Sequence, residues 1–128
     1  MALIVLDASV VIAHFDDNDA LHNAATTALL EYATDDLRLP ASAYAESLVA
    51  PARKGRLDEA RSAFDALQLR VVPVDRAHAE RAASLRANER GLRLPDALVL
   101  ACGELLSADA VLTADRRWRR FPRVKLVG

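Results

Sequence analysis

The stretch Leu94-Pro95-Asp96-Ala97-Leu98-Val99-Leu100-Ala101-Cys102 constrains the fold most, because it is apolar almost all the way round. A helix with that pattern must be enclosed by other elements rather than lie on a surface. Pro95 suits its first turn, where a backbone N–H has no intrahelical partner to lose. Asp96 then sits at the positive end of the helix dipole. Capping and dipole complementation account for one acid there. A functional role requires other carboxylates delivered to the same place.

The rest of the chain supplies short strands around such a helix. Leu3-Ile4-Val5-Leu6 is a continuous apolar run, as in a central strand covered on both faces. Further strands are expected at Leu37 to Leu39, Arg70 to Val74, Ala110 to Thr113 and, at an edge, Val124 to Val127. Helices are expected between them: Ala8 to Phe15, a segment through Leu21, Ala25, Leu29 and Tyr32, and one from Pro40 that Pro51 ends. Others carry Leu57 to Leu67 and run from an Asp75 cap to about Glu89, where Gly91 stops the chain. A short one follows Asp115. Strands alternating with helices predict a mainly parallel sheet between helical layers, an α/β/α sandwich. A length of 128 residues predicts one domain spanning 1–128.

Composition narrows the setting. Cys102, the sole cysteine, excludes disulfides and reads as a buried thiol in a reducing compartment. No stretch approaches the roughly 18 apolar residues of a membrane span, and no secretory leader is evident, so a cytoplasmic protein is expected. The net charge of −1 hides a segregation. Residues 1–50 carry one basic residue against eight acids, a balance of −7, whereas residues 51–128 carry sixteen against ten, or +6. Separated charge permits a basic face beside an acidic pocket.

In an open parallel sheet, ligands bind where the strand ends converge. Asp7 directly follows the first strand and Asp115 lies two residues beyond Thr113; Asp96 starts the enclosed helix, and Glu46 sits mid-helix with little other charge nearby. Each has a structural alternative: Asp7 and Asp115 as helix caps, Glu46 as a solvated side chain. Sharing one crevice while ionised requires a cation, because like charges raise one another's pKa. Oxygen ligands suit Mg²⁺ or Mn²⁺, ions that steady an in-line phosphoryl displacement. Competing apparatus is absent: there is no C-x-x-C, H-E-x-x-H, P-loop or G-x-G-x-x-G, and His14, His22 and His78 are dispersed. His22 and His78 read as helix-surface residues and His14 as structural. Ser9 and Thr113, each two residues from an acid, are candidates for orienting carboxylates. Arg116, Arg117, Arg119 and Arg120 surround Trp118 beside Asp115, a candidate phosphate-binding run whose alternative is a solvated face with Trp118 as a core anchor.

Taken together, Leu6-Asp7-Ala8-Ser9, Ser42-Ala43-Tyr44-Ala45-Glu46, Leu94-Pro95-Asp96-Ala97 and Thr113-Ala114-Asp115 resemble the PIN-domain ribonucleases, and within them the VapC toxins of toxin–antitoxin pairs. The resemblance covers almost the whole chain. It implies a PIN-like fold and an acidic quartet of Asp7, Glu46, Asp96 and Asp115 holding Mg²⁺ or Mn²⁺, supported by Ser9 and Thr113. It also implies RNA cleavage by metal-activated water, inhibition by a VapB-like antitoxin, and a homodimer. Pro51 falls where relatives continue the helix, and Trp118 stands where Phe is more usual. Two other functions compete. A haloacid-dehalogenase-type phosphatase needs a second Asp where Ser9 stands and a Lys that Lys54 and Lys125 are poorly placed to supply. A catalytically silent binding module would use the groove only to dock a partner.

Overall fold

The structure is a computed structural model describing residues 1–128. Five strands form one parallel sheet: β1 (Leu3–Leu6), β2 (Asp36–Pro40), β3 (Arg70–Val72), β4 (Ala110–Thr113) and β5 (Val124–Leu126), in the order β3-β2-β1-β4-β5. The apolar run of β1 takes the centre, with Val5 beside Arg38 on one side and Val111 on the other. Its start is pinned by two carboxylates, Asp35 accepting from the Ala2 N–H at 2.9 Å and Asp109 from the Leu3 N–H at 2.8 Å.

The helices are α1 (Ala8–Phe15), α2 (His22–Glu31), α3 (Ala41–Arg53), α4 (Leu57–Ala66), α5 (Arg76–Asn88) and α6 (Leu94–Leu105), with a 3-10 turn over Arg116–Arg120. The crossovers from β1 to β2 and β2 to β3 run one way across the sheet; those from β3 to β4 and β4 to β5 run the other. Right-handed crossovers therefore put α1 to α4 on one face and α5 and α6 on the opposite one. This is the three-layer α/β fold expected. The direction reverses between β1 and β4, which opens a crevice at their carboxyl ends. Helix α6 packs on both strands and is buried at Ala97, Val99, Leu100, Ala101, Cys102 and Gly103. Burial pushes the Cys102 thiol up to about 11, which keeps it protonated and inert at neutral pH. No helix is long and apolar enough to cross a membrane.

Several boundaries differ from expectation. Pro51 does not end α3, which continues to Arg53. A proline near the last turn costs one backbone bond, whereas the stop is built further on. The Arg56 N–H donates to the Pro51 carbonyl at 2.8 Å and the Gly55 N–H to that of Ala52 at 3.1 Å, with Gly55 at φ +68°. That is a Schellman closure, which needs a left-handed residue. Strand β3 ends at Val72 because Pro73 has no N–H for the ladder. Helix α5 ends at Asn88 with Glu89 already extended, so Gly91 lies in the following turn rather than stopping the helix. His78 is buried, not on the surface. Its ring Nδ1 lies 2.6 Å from the Asp75 carboxylate that also caps the His78 N–H. His22 is half-buried against the Ala13 carbonyl at 2.9 Å, and His14 bonds Thr26. Trp118 is a core residue.

Candidate active site

The crevice between β1 and β4 holds a hydrogen-bonded network centred on Asp7. The Asp7 backbone N–H extends the sheet by donating to the Leu112 carbonyl at 2.9 Å, so Asp7 stands beside Thr113 on the neighbouring strand. Asp7 occupies the position before α1, but its side chain makes no capping bond there. Instead its Oδ2 accepts from Ser9 Oγ at 2.7 Å and from Thr113 Oγ1 at 2.9 Å. Each hydroxyl is oriented from behind. The Ala114 N–H donates to Ser9 Oγ and the Asp115 N–H to Thr113 Oγ1, both at 3.1 Å. With their oxygens already accepting, both hydroxyl protons point at the carboxylate. The network fixes one oxygen of Asp7 and leaves Oδ1 outside it.

Burial raises the Asp7 pKa despite these two bonds, and the negative charge of Asp96 adds to the rise. Asp96 is delivered by the first turn of α6, buried, with Arg93 Nε a long 3.4 Å from its Oδ2. Glu46 comes from α3, which packs against both α1 and α6. Its side chain meets water, yet the surrounding wall removes enough hydration to raise its pKa. Asp7 and Asp96 push it further in the same direction, and Arg93 opposes them. Asp7, Glu46 and Asp96 thus form one mutually repelling set.

Asp115 behaves differently. Its Oδ1 caps the 3-10 turn through the Arg117 N–H at 2.9 Å, and the Arg117 guanidinium grips both oxygens, Nε at 3.0 Å and Nη2 at 2.7 Å. Arg117 holds this carboxyl below the ordinary range, and Arg93 contributes in the same sense. The capping alternative is therefore realised at Asp115.

The four acids do not line a single cup. Glu46 borders a groove of about 520 Å³ between α1, α3 and α4, whereas Asp96 borders a separate cavity of about 130 Å³ with Arg90, Arg117 and Arg120. No group of three or more acid, histidine or cysteine side chains is close enough together to hold a metal ion as the side chains stand. The donor chemistry, all carboxylate oxygen, nonetheless suits a hard divalent ion. The repulsion among Asp7, Glu46 and Asp96, which Arg93 offsets only in part, is of the kind a bound cation would relieve.

The arginine run is not one free patch. Arg117 is turned to Asp115, and Arg120 bonds Glu89 at 3.3 Å and the Arg117 carbonyl at 2.8 Å while covering the Phe121 ring. Arg116 and Arg119 are exposed and pair with no carboxylate. Sequence reasoning missed Arg93 and Arg90. The available signal for Arg93 was its position three residues before Asp96 on one helical face.

The family model of the PIN domain matches residues 4–124. No curated protein matches the sequence. Among solved structures the fold is similar to a toxin–antitoxin complex from Klebsiella pneumoniae, with 21% identity, a TM-score of 0.82 and 95% of each chain covered. It is also similar to FitAcB from Neisseria gonorrhoeae, with 18% identity, a TM-score of 0.76 and coverage of 98% of this chain and 96% of that one. A sarcin-ricin loop cleaving VapC toxin of Mycobacterium tuberculosis gives 20% identity and a TM-score of 0.70 over 94% of this chain and 98% of that one. These likenesses concern the fold. With its family model matched from residue 4 to residue 124, almost from the first strand to the last, the chain belongs to the PIN domain family.

Proposed function

We propose that this chain, as one domain spanning residues 1–128, is a VapC-like toxin: an endoribonuclease that depends on Mg²⁺ or Mn²⁺ and is silenced by a cognate VapB-like antitoxin. The observation that carries this reading is the buried Asp7 carboxylate, aimed by Ser9 and Thr113 and left facing the charges of Asp96 and Glu46 with no basic partner of its own. A protein that needed Asp7 only for folding would have no reason to gather acids against it. The toxin–antitoxin complex from Klebsiella pneumoniae and the VapC toxin of Mycobacterium tuberculosis among the structural neighbours support the biological setting.

Asp7, Asp96, Glu46 and Asp115 would hold the ion. When bound, it supplies activation of water and neutralisation of charge on the phosphodiester. Ser9 and Thr113 keep Asp7 in one orientation, so that no reorganisation is required when substrate arrives. Arg116 and Arg119, exposed and unpaired beside Asp115, are suited to the RNA backbone, with Arg117 and Arg120 held in reserve by their carboxylate partners. Cytoplasmic location and a homodimer complete the proposal. Asp7 cannot serve here as a phosphatase nucleophile of the two-aspartate kind, because Ser9 stands at the second position and donates to it.

The test is purified protein incubated with total RNA, with Mn²⁺ or with a chelator, and sequencing of the resulting 5′ and 3′ ends beside an Asp7→Asn control. Discrete, Mn²⁺-dependent cuts that vanish in the control are expected. Intact RNA under every condition, or equal cutting by Asp7→Asn, would overturn the nuclease reading and favour a silent docking module.

A further inference from the structure

The pairing of Asp115 with Arg117 has a consequence for how the site loads. Resting on the nuclease reading above, we propose that Arg117 is an exchangeable counter-ion: it neutralises Asp115 until a divalent cation claims that carboxylate, and its freed guanidinium then binds an RNA phosphate in the small cavity beside Asp96.

Three observations support the exchange. The contact is a bidentate fork, the geometry in which a guanidinium competes best with a metal for a carboxylate. The two partners differ in freedom. The Arg117 side chain is 69% exposed and that of Asp115 22%, so the arginine swings out while the acid stays put, held by its bond to the Arg117 N–H. Arg117 also borders the same small cavity as Asp96, so besides its own partner it faces a second acid.

The destination is defined by the cavity that Arg117 lines with Arg90, Leu92, Asp96, Trp118 and Arg120. At about 130 Å³ it falls well below the roughly 300 Å³ at which pockets accept whole small molecules. A single tetrahedral oxyanion is the right size. Trp118 is buried and offers no ring face for a base to stack on, which favours phosphate over nucleobase. Arg90 pairs with no carboxylate, whereas Arg120 is shared with Glu89. While no cation is bound, Asp96 and Asp115 cancel the arginines around them. Once a cation neutralises the acids, the same arginines attract an anion. Cation and phosphate therefore bind with positive coupling, and the coupling is reciprocal.

The experiment measures Mn²⁺ binding by calorimetry, without nucleic acid, for the wild type and Arg117→Gln. In parallel, the anisotropy of a short labelled single-stranded oligodeoxynucleotide, which carries the same phosphates, is followed with and without Mn²⁺. Arg117→Gln is expected to bind Mn²⁺ about fivefold more tightly, and the wild-type gain in oligonucleotide affinity on adding Mn²⁺, also about fivefold, is expected to disappear. Arg117→Lys keeps the charge without the fork and falls between. Arg76→Gln, which removes an equal charge from exposed α5, leaves both values unchanged. Equal Mn²⁺ affinity in wild type and Arg117→Gln, or an undiminished oligonucleotide gain in the variant, overturns the exchange while sparing the metal site. A wild type that binds no Mn²⁺ overturns the nuclease reading and the exchange together.

Discussion

The two sides of the crevice solve the same electrostatic problem in opposite ways. On the β1 side, Asp7 is buried beside Asp96 and Glu46, its charge is supported by hydrogen bonds but by no basic side chain, and its pKa rises. On the β4 side, Asp115 is clasped by Arg117 and its pKa falls. Backbone bonds through Thr113 and Ser9 join the two sides, so the contrast arises within a few residues. Internal pairing stabilises the fold and occupies the acid. Leaving acids bare strains the fold and keeps them open to a cation.

The largest effect expected is at Asp7. Asp7→Asn is expected to lower RNA cleavage about 100-fold or more, in keeping with removal of a principal charge from a reacting site. The same variant should melt at a higher temperature than the wild type at pH 7, read by circular dichroism. The sign follows from linkage. A carboxyl whose pKa is higher in the folded state than its ordinary 3.8 loses stability for the fold as pH rises from about 3.8 through the folded value. Neutral asparagine removes that loss.

Next is Gly103→Ala in α6. A Cβ there would lie 2.5 Å from Val111 Cγ2 of β4, so either the buried Val111 side chain or the helix that carries Asp96 must shift. Overpacking of this kind costs about 1–3 kcal/mol, measurable by urea denaturation. Both sides of the crevice should weaken together, because α6 packs on β1 and β4 alike.

Thr113→Val sharpens the contrast from the middle. It removes one of the two hydroxyl donors that hold the Asp7 pKa down and orphans the Asp115 N–H. The acid limb of the cleavage pH profile should move to higher pH, with the melting temperature falling modestly. Arg117→Gln gives the smallest effect on stability, since the pair is largely solvated. Its sign is opposite to that at Asp7. A depressed carboxyl pKa contributes stability that is present above about 3.8 and lost as pH falls through the folded value, so the variant should differ from wild type near neutrality and converge with it in strong acid.

Much of this was legible in the sequence, and the reasons are local. The run Leu3 to Leu6 followed by Asp7, and Ala110 to Thr113 followed by Asp115, are strands ending on acids, a pattern that needs no tertiary information. The enclosure of α6 follows equally from its composition. What escaped is decided by partners. The choice of Arg117 between water and Asp115 is set by the 3-10 turn that places its N–H and its fork on one carboxylate. The burial of His78 depends on α5 packing against α6, and its alignment on the Asp75 cap three residues earlier. The division of the acids between two separate cavities comes from where α3 and α6 meet, which no spacing in the chain records.

The most direct measurement is a calorimetric titration of Mn²⁺ into the wild type and Asp7→Asn at neutral pH. One saturable site in the wild type, lost or weakened at least tenfold in the variant, is the result predicted if bare acids at the β1 strand end exist to receive a cation. Identical binding curves for the two proteins, or none for either, would contradict it.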